Sequence, residues 1–188
     1  MSTMCDSTTM ELLRRIIGMR LERVSARCYP GYLAYDQIVA KFSDSFSIRV
    51  DLSEEVVEPK FEVFVVRARP SDLIIESDEW DRLELKDFIV ASISVLRREE
   101  WVKKAVKESS QLVGQHGMEQ RFGSLDSGGE LRDAVVVDSG LSFISTRGAE
   151  LRIDADVFPL VLQLRYEVAP SPLPVGTKIA VNEYQKPQ

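Results

Sequence analysis

The chain has 188 residues, 44% hydrophobic and 29% charged, the balance of an ordinary globular protein that can bury a core without metals or disulfides. Its formal net charge of −6 argues against a general affinity for nucleic-acid phosphates or anionic membranes, which needs clustered Lys and Arg. No apolar run approaches the roughly eighteen residues of a membrane span, and the opening MSTMCDSTTMELL lacks the basic and apolar regions of a secretory signal, so a cytoplasmic location is expected.

Residues 1–8 are expected to be a disordered N-terminus. Thr8-Thr9-Met10-Glu11 has the form of a capping box, and Leu12, Leu13, Ile16 and Ile17 make one apolar face before Gly18, which predicts a short helix over 9–17. The period then changes. Partly alternating MRLERVSARCY (19–29) and aromatic, β-branched YLAYDQIVAKF (32–42) read as strands around the turn Pro30-Gly31. Ser43-Asp44-Ser45 leads into FSIRVDL (46–52), where Phe46, Ile48, Val50 and Leu52 share one face. After an exposed link, FEVFVVRAR (61–69) is the last strand of a first half spanning 9–72.

The second half, 73–168, opens on the acidic stretch IIESDEWDRLELKD (74–87). Beyond it, Leu85, Phe88, Ile89, Ile93 and Leu96 fit a helical stripe, whereas Ile89, Ala91, Ile93 and Val95 alternate; the β-branched ASISVL favours a strand over 88–99. Residues 106–133 are polar and rich in Gly and Ser, as in a long loop. Strands follow at 134–145, 149–156 and 160–168, with a turn at Thr146-Arg147-Gly148. A Pro-rich tail, 169–188, holds a last candidate strand at 177–184.

The two halves share an order. Asp36, Phe42, a turn and Ile48-Arg49-Val50-Asp51 are echoed by Asp138, Phe143, a turn and Leu151-Arg152-Ile153-Asp154. The connections suit hairpins and are too short for parallel crossovers. The expected fold is therefore α+β and mainly β: two pseudo-repeated four-stranded antiparallel meanders packed together as one compact unit, with a short N-terminal helix.

Few residues suggest chemistry. Arg49 with Asp51, and Arg152 with Asp154, stand at i and i+2 on a strand, share a face and read as ion pairs on the solvent side. Asp154 and Asp156 also spell D-x-D, which can hold a divalent cation, but two carboxylates are too few for a dedicated site. His116 is the only histidine and falls in the Gly-rich stretch. Nucleophile elbows, phosphate-binding loops and zinc-ligand spacings are all missing from the sequence, so no catalytic residue, metal or cofactor is assigned. Arg97, Arg98, Lys103 and Lys104 surround Trp101, yet Glu99 and Glu100 cancel half of that charge. Cys5 and Cys28 read as free thiols, with a bridge between them as the alternative.

The candidate partner-binding residues are Glu76, Asp78, Glu79, Asp81 and Glu84, set against Arg82 and Lys86. They point to a non-catalytic binding module with a protein partner, neither nucleic acid nor membrane; its most concrete form is an immunity-type inhibitor covering a basic protein. Competing expectations are an enzyme whose carboxylates assemble across strands and a scaffold that forms homo-oligomers through strand edges.

Overall fold

The computed structural model describes residues 2–28, 34–56, 62–72, 80–103, 132–156, 161–168 and 177–184. Residues 2–8, expected to be disordered, carry a two-residue strand β1 (Ser2–Thr3) and the start of helix α1 (Ser7–Arg15). The helix begins two residues earlier than the T-x-x-E pattern predicts, because the Asp6 carboxylate accepts the Thr9 N–H at 2.6 Å and so acts as the N-cap. Gly18, at φ +89°, supplies the left-handed residue that turns the chain out of the helix. A helix of 9 residues is marginal by itself. Docking holds it here: Leu13 and Ile16 are fully buried against the sheet, and each such side chain contributes about 1.5–3 kcal/mol.

Among the described residues nine further strands follow: β2 (Arg20–Cys28), β3 (Tyr35–Phe42), β4 (Ser47–Val56), β5 (Glu62–Pro70), β6 (Trp80–Lys103), β7 (Arg132–Ser145), β8 (Glu150–Asp156), β9 (Val161–Glu167) and β10 (Thr177–Ala180). Alternation sets their faces. Ile38, Ala40 and Phe42 point into the main core from β3, as do Ile48 and Val50 from β4 and Leu151 and Ile153 from β8. A smaller cluster joins Val63 and Val65 of β5 to Val135 and Val137 of β7.

The fold is mainly β and almost wholly antiparallel, the exception being β1, which runs parallel to β7. Strands β2 to β5 form one antiparallel meander and β6 to β9 another. The two are sewn together by β2 against β6 and by the Tyr35–Leu162 pair between β3 and β9. The pairings therefore run β6–β7–β8–β9–β3–β2 and back to β6, a closed, barrel-like ring. Strands β4 and β5 extend from β3 outside this ring, and β10 lies along β6 beside residues 94–97.

The ambiguous segment is a strand, and longer than expected at 24 residues. The expected phase of alternation is not the observed one: Ile89 and Ala91 are exposed while Phe88, Val90, Ile93 and Val95 are buried, because the alternation slips at the irregularity between Val90 and Ser92, and pairing with β2 and β7 makes the segment a strand. β6 bends at Asp87, which has φ +58°, next to a bulge where Leu21 and Arg23 of β2 face Phe88 and Glu84. The bend lets one strand serve both meanders, pairing with β2 through its first part and with β7 through its second.

Both meanders place Arg-x-Asp on their third strand, β4 or β8. They are not used alike, however. β8 and β9 belong to the ring while β4 and β5 do not, and β6 has 24 residues where β2 has 9. The arrangement establishes two meanders of shared strand order; it does not establish an internal repeat.

Candidate functional site

Of the residues expected to bind a partner, Glu76, Asp78 and Glu79 lie outside the described residues, as does His116. Asp81 and Glu84 are exposed on the first part of β6. The register with β2 sets Arg23 opposite Glu84, Ser25 opposite Arg82 and Arg27 opposite Trp80. Arg23 Nε lies 2.5 Å from Glu84 Oε1. Arg27 forks onto Asp36 of β3, with Nε donating to Oδ1 at 2.8 Å, and its guanidinium stands 6.0 Å from the Trp80 ring. Asp87, at the bend, is 3.2 Å from Arg147 and 3.9 Å from Arg20. What composition presents as an acidic run is, along this strand, a ladder of mixed charge with an aromatic rung.

At the end of the ladder the Tyr35 hydroxyl donates to Asp81 Oδ2 at 3.0 Å. Burial, together with the bond to Asp81 and its negative charge, pushes the Tyr35 phenol up to about 12. The exposed Cys28 thiol is raised by desolvation and by the same carboxylate, which keeps it protonated rather than a reactive thiolate.

The Arg-x-Asp pairs are neighbours on one face as predicted: Arg49 Nε is 2.9 Å from Asp51 Oδ2, and Arg152 Nε is 2.5 Å from Asp154 Oδ2. Their expected position on the solvent face needs correction. The Arg152 and Asp154 side chains keep only 13% and 19% exposure. Gly140 of β7 stands opposite Asp154, and a Cβ there would fall 2.7 Å from Asp154 Oδ1, so the missing side chain makes room for the carboxylate to lie over the sheet. Burial raises the Asp154 carboxyl, outweighing Arg152, Arg165 and Arg98 around it. Those cations suit an ion pair and oppose a metal; among the described residues no group of three His, Cys, Asp or Glu could hold one.

Two polar nodes that sequence reasoning missed lie deeper. Asp138, fully buried on β7, receives Arg97 Nε on Oδ1 at 2.8 Å, and on Oδ2 both the Cys5 N–H at 2.9 Å and the Tyr184 hydroxyl. Arg67 of β5 donates to the Met4 carbonyl at 2.9 Å and to Glu55, and lies 3.5 Å from Asp6. A third contact ties β10 to the ring: buried Glu150 accepts from Ser142 Oγ at 2.6 Å and from Lys178 Nζ at 2.7 Å. Burial opposes ionisation of Glu150, but these donors outweigh it and hold the carboxyl below its ordinary range.

No family model, curated protein or solved structure matches the chain. No helix among the described residues is long and apolar enough to cross a membrane.

Proposed function

We propose that this chain is a protein-binding module of the cytoplasm that meets its partner with the outer face of β2 and the first part of β6. The observation that carries this reading is the cross-strand ladder itself, where Arg27, half-exposed, lies over Trp80 beside the Arg23–Glu84 pair. Arginine, tryptophan and tyrosine dominate the energetics of protein interfaces, because each buries a large area at modest entropic cost while keeping a polar handle. Asp81 is exposed on β6, and Glu76, Asp78 and Glu79 just before it in the sequence add negative charge suited to a basic partner, as in an immunity-type inhibitor. Two free thiols, Cys5 buried and Cys28 exposed, support a reducing compartment.

The test starts from the partner retained by the chain in its native host and measures association kinetics with the purified pair. Reversing Glu76, Asp78, Glu79 and Asp81 to lysine should slow association at low salt, as should raising salt toward 1 M, where the Debye length is roughly 3 Å. Trp80→Ala should instead speed dissociation and cost about 2 kcal/mol or more. Association indifferent to the reversals, to salt and to Trp80→Ala would place the interface elsewhere.

A further inference from the structure

We propose that the Asp138–Arg97 pair couples the two chain ends, so that residues 2–9 and 177–184 open from the barrel as one unit and uncover the outer edge of β5.

Each member of the pair touches both ends. Asp138 Oδ2 accepts from the Cys5 N–H at one end and the Tyr184 hydroxyl at the other. Arg97 reaches Met4 Sδ at 3.2 Å, and its guanidinium stands 5.4 Å from the Tyr184 ring. If one end left alone, a carboxylate and a guanidinium would remain covered by the other end with part of their bonding lost. A half-satisfied buried network costs more than an intact one or one opened fully to water. The penalty therefore falls on partial opening, which makes departure of the ends cooperative.

The β5 edge marks where the unit detaches. The Ala68 N–H donates to the Thr9 hydroxyl at 3.3 Å, and the Ala68 carbonyl accepts from it at 3.4 Å. The Val66 carbonyl accepts from the Cys5 thiol at 3.4 Å. All are side-chain bonds, and the two at Ala68 are long, where a neighbouring strand would supply short ones from its backbone. The ring needs neither end for closure, since its six strands pair among themselves. Opening thus exposes edge groups to water without breaking the barrel.

Residue-resolved amide exchange on the full chain tests the coupling. In the native protein the amides of Cys5, Ala68 and Val181 should exchange through one shared opening, with a common denaturant dependence and faster than the amides of β2 and β3. Tyr184→Phe keeps the ring and removes one hydrogen bond to a charged group, so all three should lose protection together, by about tenfold or more. Thr9→Val, which touches nothing at the C-terminal end, should likewise speed Val181, because coupling between sites is reciprocal. The proposal is overturned if Tyr184→Phe speeds Val181 and leaves Cys5 and Ala68 unchanged. It is equally overturned if Thr9→Val leaves Val181 untouched. Should Tyr184→Phe fail to fold, the native measurement decides: exchange of the three amides only with the amides of β2 and β3 refutes a separate unit.

Discussion

Gly140→Ala should be among the most damaging single-methyl additions in this protein. A Cβ at that position would sit 2.6 Å from the Ile153 carbonyl oxygen, 2.7 Å from Asp154 Oδ1 and 3.0 Å from Leu96 Cδ1. The carboxylate and the leucine can rotate; the carbonyl cannot, because Ile153 is held between β7 and β9. β8 must therefore shift by several tenths of an ångström, or the ladder between β7 and β8 must open locally. Overpacking of this kind costs about 1–3 kcal/mol, and each ladder bond lost adds roughly 1 kcal/mol. Ala gains back about 0.5–1 kcal/mol over Gly in a strand interior. The expected net loss is about 1.5–3 kcal/mol, read as a lower urea midpoint with unchanged slope. A cycle with Asp154→Ala separates the two contacts: removing the carboxylate should recover part of the loss and leave the part due to the carbonyl. A Gly140→Ala variant within about half a kcal/mol of the parent, the range of ordinary surface changes, would refute the close approach of β8 to β7.

Arg67→Met should cost about 1–3 kcal/mol by urea unfolding, since it strips the Met4 carbonyl, Glu55 and Asp6 of a shared buried cation whose partners are partly exposed; a neutral outcome would mean residues 4–6 are not anchored there. The carboxyls of Asp6 and Glu150 lie below their ordinary range because, despite burial, Thr9 and Arg67 favour ionised Asp6, and Lys178 and Ser142 favour ionised Glu150. Each contribution is therefore complete above the ordinary carboxylate pKa of about 4 and is lost as pH falls through the folded value, so Asp6→Asn and Glu150→Gln should each flatten the acid limb of a stability–pH curve. Asp154 is raised and acts in the opposite sense, its contribution fading as pH rises through the folded value; an acid limb unchanged in both the Asp6→Asn and Glu150→Gln variants would contradict the environments of those two carboxyls. A disulfide reagent should modify Cys28 in the native protein and reach buried Cys5 only on unfolding, giving both thiols in denaturant; a single thiol in denaturant would mean a bridge.

The strands were legible where one face alone was apolar, as in Ile48-Arg49-Val50-Asp51, because alternation there admits a single reading. Across 85–96 two periods competed, and the strand emerges because both its edges pair, with β2, β7 and β10, a fact of topology that no local window contains. The helix start was misplaced for a local reason. Asp6 with Thr9 and Thr8 with Glu11 offer two caps in overlapping register; the structure uses the first, with the Thr9 hydroxyl held by Ala68, which lies far along the chain. The ion pairing within each Arg-x-Asp followed from spacing; its burial depended on a glycine in the neighbouring strand. Likewise the sequence set only Arg82 and Lys86 against the acidic run, because Arg23, which answers Glu84, belongs to a strand 61 positions earlier. Asp138, set between VVV and SGLSFIS, did carry a signal, since a charge within an apolar strand demands a partner; which partners, sequence spacing could not say.

Closure of the ring also governs how quickly the chain can reach this state. Each meander is built from neighbouring hairpins and can form early, but the seams that close the barrel, β2 with β6 and Tyr35 with Leu162, join segments from different halves of the chain. Topologies dominated by such distant pairings fold on the order of milliseconds to seconds, because loop-closure entropy is lost before the contacts that repay it are made. During synthesis β9 emerges late, so the first meander must wait with the β3 end that carries Tyr35 unpaired until Leu162 leaves the ribosome. Substitutions in the Tyr35–Leu162 seam should therefore register in the folding limb of a chevron if closure is the rate-limiting event, and in the unfolding limb if closure follows it.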